Sequence, residues 1–188
     1  DAHTESTSVD GYTFDYNQSS DWDTIHDKSA SYGANSDWEL HEVGHIRSNL
    51  SGNKWLLVRL YFLFDTSAID DTHEASAATF SLYSESQYDR SSAGATEMSV
   101  LTSSIVQSSP ASNTDIVVGD WDQCGATNDP DEGIATGSRF NAHDDWTLDE
   151  YTDLTFNATG VGWIDVDGIT KLGIRTMPDI TDDDPGSN

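Results

Sequence analysis

Positive charge is what this chain has least of. Eight Lys and Arg face 34 Asp and Glu over 188 residues, a formal net charge of −26. A surface of that sign repels nucleic acid and anionic membranes, so a nucleic-acid partner is excluded. Lysine is reduced to three residues and the acids are mostly Asp, 26 against 8 Glu. Near 1 M salt the screening length falls to roughly 3 Å, which relieves the repulsion among such carboxylates. The composition therefore reads as an adaptation to a high-salt environment.

Cysteine is almost absent. Cys124 is alone, which rules out an internal disulfide and a cysteine-rich metal site. No signal peptide is legible and no apolar run approaches the ~20 residues of a membrane span, so membrane insertion is not expected. The first residue is Asp, as expected of a processed or excised chain. Three sequons, at Asn17, Asn49 and Asn157, against about one or two expected by chance, point mildly to an exported glycoprotein.

The longest apolar run is Trp55 to Phe64, closed by Asp65-Thr66-Ser67. Its valine and aromatics favour a strand, and its near-continuous apolarity predicts burial on both faces. Arg59 lies inside it and needs a partner, because a buried guanidinium is seldom left unpaired. Asp65, of the same parity, is one candidate. Thr79 to Tyr83 alternates with period two and reads as a second core strand. Further strands are expected at Val9–Phe14, Met98–Val106, Asp115–Val118, Leu154–Phe156 and Gly168–Arg175, with one helical turn in 158–164. Residues 15–37 read as a long loop anchored by Trp22, and residues 119–150 as a long acidic surface excursion. Short strands between turn clusters predict an all-β antiparallel sandwich with long acidic loops. The expected organisation is a mobile arm at 1–8, one domain at 9–180 and an acidic tail at 181–188.

The pattern Arg59-x-Tyr61-x-x-Phe64-Asp65-Thr66-Ser67-x-Ile69, followed by Ala75-Ser76-Ala77 and Leu82-Tyr83, resembles the DNRLRE-type β-sandwich modules. Asp10-Gly11-Tyr12 and the closing Thr170 to Arg175 with Asp179 extend the likeness over about 9–180. The resemblance implies a jelly roll, found in secreted, cell-surface and phage-like proteins, with Arg59, Phe64, Asp65 and Tyr83 as core motif. It also implies carbohydrate binding, since some members are carbohydrate-binding modules. Such modules usually finish with one more strand, which these residues lack. An exposed strand edge is then expected beside the last strand, filled by the arm or first strand of a neighbouring copy, completed by a last strand lying in residues outside this sequence, or covered by a loop such as 119–150.

Three constellations offer chemistry. His41-Glu42-Val-Gly-His45 spells H-E-x-x-H, the zinc-protease signature when it lies on a helix. On a strand the two histidines stand roughly 13 Å apart and share no ion; the β pattern of the chain favours the strand or an extended loop at 38–46. Asp120, Asp122 and Asp131 partly imitate a calcium loop, making a structural calcium the one cofactor to expect. Trp121 and Trp146, each preceded by Asp in the longest loop, are candidate platforms on which a sugar would stack. No nucleophile motif and no distinctive carboxylate pair is legible, so an enzyme is not expected. The leading expectation is a non-catalytic structural subunit of an extracellular assembly in high salt: a surface filament, a surface layer or a virion decoration, acting as a homo-oligomer or polymer. A carbohydrate-binding module of a secreted protein is the alternative, and a zinc protease through His41, Glu42 and His45 a remote one.

Overall fold

A computed structural model describes residues 9–17, 21–36, 46–48, 54–69, 72–84, 102–141 and 145–184. Strands dominate. They are β1 (Val9–Asn17), β2 (Gly33–Asn35), β3 (Ile46–Ser48), β4 (Lys54–Asp65), β5 (Thr79–Tyr83), β6 (Ser103–Gln107), β7 (Tyr151–Thr155) and β8 (Ile169–Thr176). Among the described residues, three short α-helices accompany them: α1 (Trp22–His26), α2 (Ala158–Val161) and α3 (Met177–Thr181). Every named pairing is antiparallel, so the chain is all-β in class.

The apolar run is the axis of the larger sheet, whose order is β2-β1-β4-β8-β6. β1 occupies one edge of β4 from Trp55 to Leu63. The other edge is shared end to end by β3, at Lys54–Leu56, and β8, at Leu60–Asp65. β5 and β7 form a separate two-stranded sheet.

Because side chains alternate along a strand, β4 serves two cores at once. Val58, Leu60 and Phe62 join Ile105, Leu172 and Ile174 of the same sheet against Phe80 and Leu154 of the smaller one. Leu57, Tyr61 and Leu63 point the other way, onto Trp22, Ile25, Ile116, Trp121 and Ile180. The layer covering that second face is made of α1, α3 and the loop carrying Trp121. Each large apolar side chain so buried contributes about 1.5–3 kcal/mol. The expected burial of β4 on both faces is met, with helices and loop as the second cover.

Gly173 of β8 is required by this packing. A Cβ there would collide with the Cys124 sulfur, which sits over the strand beside Tyr61.

Several expected boundaries shift. β1 runs on to Asn17, and Trp22 anchors its loop from within a helix, 2 % exposed. Asp115–Val118 is not a strand: the described residues turn at 115–117 into a 3-10 turn at Val118–Gln123. The reason lies in Asp120, whose carboxylate bends back to accept the amides of Ala111 and Val117. Thr181, expected to open an acidic tail, instead ends α3, which Pro178 begins in its first turn and Asp182 caps in the left-handed conformation, φ 54°. Proline is pre-organised for that position.

Among the described residues, the last strand has neighbours on both sides, so the expected open edge beside it is not found. β8 lies between β4 and β6. Beyond β6, the chain's own residues 132–140 exchange hydrogen bonds with Ser103 and Ile105. β1, expected as a strand to donate, pairs with β4 of its own chain. Residues 1–8 and 38–45 lie outside the described residues, and so do His41, Glu42, His45 and Asn49.

Candidate functional site

The largest concentration of ionic chemistry is a closed one. Arg59 on β4 and Arg175 on β8 both grip the carboxylate of Asp179 on α3. Arg59 Nε and Nη2 donate at 3.0 and 2.7 Å, and Arg175 Nε and Nη2 at 2.7 and 3.1 Å. None of the three is more than 1 % exposed. Both guanidinium groups also donate to main-chain carbonyls: Trp121 and His26 for Arg59; Cys124, Ala126, Thr127 and Asp179 for Arg175. The Arg59 guanidinium also lies 4.3 Å from the centre of the Trp121 ring. Burial alone would raise the Asp179 carboxyl; the Arg59 and then the Arg175 charge, with hydrogen bonds from both, outweigh it and hold the group well below the usual carboxylate range. The expectation that Asp65 partners Arg59 is therefore corrected. Six residues of strand separate them, about 20 Å, and Asp65 is exposed, accepting the Ser67 amide in the turn after β4.

Other expected site residues are also committed internally. Trp121 is 0 % exposed and donates from its indole to the His26 carbonyl, so no sugar can reach its ring. Trp146 is half-buried and stacks on Phe140 at 5.4 Å. The calcium expectation fails at Asp120, whose two oxygens both serve backbone amides in a buried setting. Asp122 accepts from Gln123. Asp131 is exposed at a cleft of about 590 Å³ with Gln107, Ser109, Asp129 and Trp163. Burial pushes the Cys124 thiol up to about 12, which leaves no thiolate at neutral pH. Asn157 caps α2 through the Gly160 amide and donates to the Glu132 carbonyl, so its amide nitrogen is engaged. Asn17 ends β1.

Open chemistry gathers on the smaller sheet. Phe80 and Leu154 face the core, which turns Thr79, Ser81, Tyr83, Tyr151, Asp153 and Thr155 outward. The register sets Tyr83 opposite Tyr151, Ser81 opposite Asp153 and Thr79 opposite Thr155. The tyrosines are 51 % and 55 % exposed, with ring centres 5.1 Å apart and planes inclined by 60°. On the next rung the Ser81 hydroxyl donates to Asp153 at 2.6 Å. Tyr151 and Asp153 also border a cleft of about 660 Å³ between the sheets. Its lining is apolar at Phe64, Phe80, Phe156 and Leu172 and carries hydroxyls at Thr66 and Thr170.

The chain matches no family model, no curated protein and no solved structure. The geometry stands alone, and it corrects the place of Tyr83. Expected in the core motif, this residue stands outside, while Phe64, half-buried, packs on the core. The signal was present in the sequence. In Thr79-Phe-Ser-Leu-Tyr83 the tyrosine shares its phase with Thr79 and Ser81, the polar face of the alternation. Tyr151 had no comparable signal before its pairing with β5 was known.

Proposed function

We propose that this chain is a non-catalytic carbohydrate-binding module of an extracellular protein working in high salt, with a jelly-roll-type sandwich as its fold. The observation that carries the reading is the in-register Tyr83–Tyr151 pair, half-exposed beside Ser81 and Asp153. An aromatic ring offers a flat apolar surface for the C–H face of a sugar, and hydroxyls and carboxylates beside it take the sugar's hydroxyl protons. Cross-strand packing would stabilise the sheet by only about 0.2–1 kcal/mol, a small return for two large exposed rings. The net charge of −26 selects the ligand class: a neutral glycan, since an anionic one is repelled. Stacking and neutral hydrogen bonds also survive the molar salt that screens ionic recognition.

Screening the protein at about 2 M NaCl, where carboxylate repulsion is screened, against neutral soluble polysaccharides by affinity electrophoresis tests the reading. Retardation by at least one polymer, lost in Tyr83→Ala and Tyr151→Ala, is expected. Retardation that persists in both variants removes the tyrosine face from the account.

The structural subunit of an extracellular assembly is the second reading. The cleft between the sheets, with its apolar lining at Phe64, Phe80, Phe156 and Leu172, favours it as a seat for a segment of another copy. Light scattering at molar salt separates the two: stable polymers support the assembly, and a monomer that binds glycan supports the module.

A further inference from the structure

Where α1 and α3 end, three ligand-type groups converge from opposite ends of the chain. His26 closes α1, Asp27 caps it, and Asp182 caps α3. One ligand atom from each lies within 4.8 Å of the others. His26 is fully buried, whereas the side chains of Asp27 and Asp182 are 56 % and 27 % exposed, so the group opens to solvent on one side.

The contacts of the imidazole constrain the roles of its two nitrogens. Nε2 lies 2.8 Å from the Asp179 carbonyl oxygen, with Arg175 Nη2 more distant at 3.4 Å. A carbonyl only accepts, so the shorter contact is the one made with the proton on Nε2. Nδ1 then faces two carboxylates, Asp27 Oδ1 at 2.8 Å and Asp182 Oδ1 at 3.2 Å. A neutral imidazole with its proton on Nε2 would turn a bare lone pair towards two anions. Something positive has to lie between them. A proton on Nδ1 points well at one acceptor and leaves the second contact poorly made. A metal ion satisfies both at once. Ligand atoms about 2.0–2.2 Å from a tetrahedral zinc stand roughly 3.3 Å apart, close to the 3.2 Å between Nδ1 and Asp182; the 2.8 Å contact with Asp27 opens by about 0.5 Å on binding, a movement free to that exposed side chain.

The outer contacts of the group also fit a metal ligand set. A ligating imidazole usually donates its other N–H to a carbonyl or carboxylate, which orients the ring and raises its basicity; here the Asp179 carbonyl takes that part. Asp182 is held from outside by the Trp22 indole, donating to Oδ1 at 3.0 Å. The Trp22 ring stacks on the imidazole at 5.6 Å. We propose that His26 Nδ1, Asp27 and Asp182 bind a divalent transition-metal ion of the zinc type, which pins α1 to α3. One imidazole nitrogen and two carboxylate oxygens suit zinc and its neighbours better than calcium, which takes oxygen ligands alone. The site is separate from Asp120, Asp122 and Asp131.

The test uses the whole protein at molar salt, stripped with a chelator and titrated with zinc chloride alone. One tight zinc per chain is expected by calorimetry, and at a hundred times its Kd zinc raises Tm by roughly 5–10 °C. Cobalt in place of zinc is expected to give visible d–d absorption. Asp182→Asn keeps the acceptor for Trp22 and removes the charge; Asp27→Asn alters an exposed side chain. Both are expected to fold and to weaken zinc at least ~10-fold, while His41→Ala and Asp131→Asn change nothing. The proposal is overturned if the folded protein takes up no stoichiometric zinc, if uptake survives both Asp27→Asn and Asp182→Asn, or if His41→Ala abolishes it.

Discussion

A carboxylate held between two guanidinium groups away from water is expensive to assemble and more expensive to break. Asp179 compensates Arg59 and Arg175 together, so neutralising it leaves two buried cations facing each other across an amide. Asp179→Asn should lose about 3–5 kcal/mol, measured by denaturant unfolding at molar salt. Arg59→Lys should fare little better, because an ammonium cannot hold both Asp179 oxygens and the Trp121 carbonyl at once. A loss under 1 kcal/mol in either variant would mean that the network is not a structural centre. Cys124 provides a second residue-scale prediction. Its thiol is raised by burial from an ordinary value near 9 to about 12. A raised folded pKa gives stability that is whole below the unfolded value and is lost as pH climbs through the folded one. Stability should therefore fall between about pH 9 and 12, with that component absent in Cys124→Ala, and the native thiol should resist maleimide at pH 7. At this scale the sequence pointed to the need of Arg59 for a partner but not to the partner. Asp179 lies 120 positions away, and only the fold of α3 brings it inward.

Elements were legible where alternation or an unbroken apolar run marked them. β4, β5 and β8 fell within a residue or so of their expected places because their apolar positions repeat with period two or run on without a break. The stretch before Trp121 misled because Ile116, Val117 and Val118 look like a buried strand; instead Ile116 enters the core, and Val117 and Val118 are exposed as Asp120 turns the chain. Helix α3 was hidden because five residues hold too little periodicity, leaving Pro178 as its single signal. The candidate tyrosine face was half legible: Tyr83 through its phase, Tyr151 only through its register with β5. For that two-stranded element, Tyr83→Ala and Tyr151→Ala should each cost at most about 1 kcal/mol of stability, the range of a cross-strand pair. Thermal unfolding of both variants checks this, and a larger loss would make the pair a packing feature rather than a binding one.

At the scale of the whole molecule, cations are spent on partners within the fold. Lys28 pairs with Asp15, Arg139 with Glu132, Arg59 and Arg175 with Asp179, and Lys171 donates to the carbonyls of Pro110 and Ser112. Lys28, Arg59, Arg139, Lys171 and Arg175 are thus all engaged within the fold, and the 34 acids far outnumber the eight bases that could neutralise them. Tm should therefore rise steeply from low to molar salt as repulsion is screened; a flat or falling curve would remove the high-salt reading. The same conditions serve the central claim. Tyrosine-labelled protein at about 2 M NaCl, in the screened regime, titrated with the neutral oligosaccharide found by the polysaccharide screen, reports the site by NMR. The account predicts that the ring signals of Tyr83 and Tyr151 shift and saturate together. Saturating shifts confined to other tyrosines, with both of these rings unmoved, would contradict it.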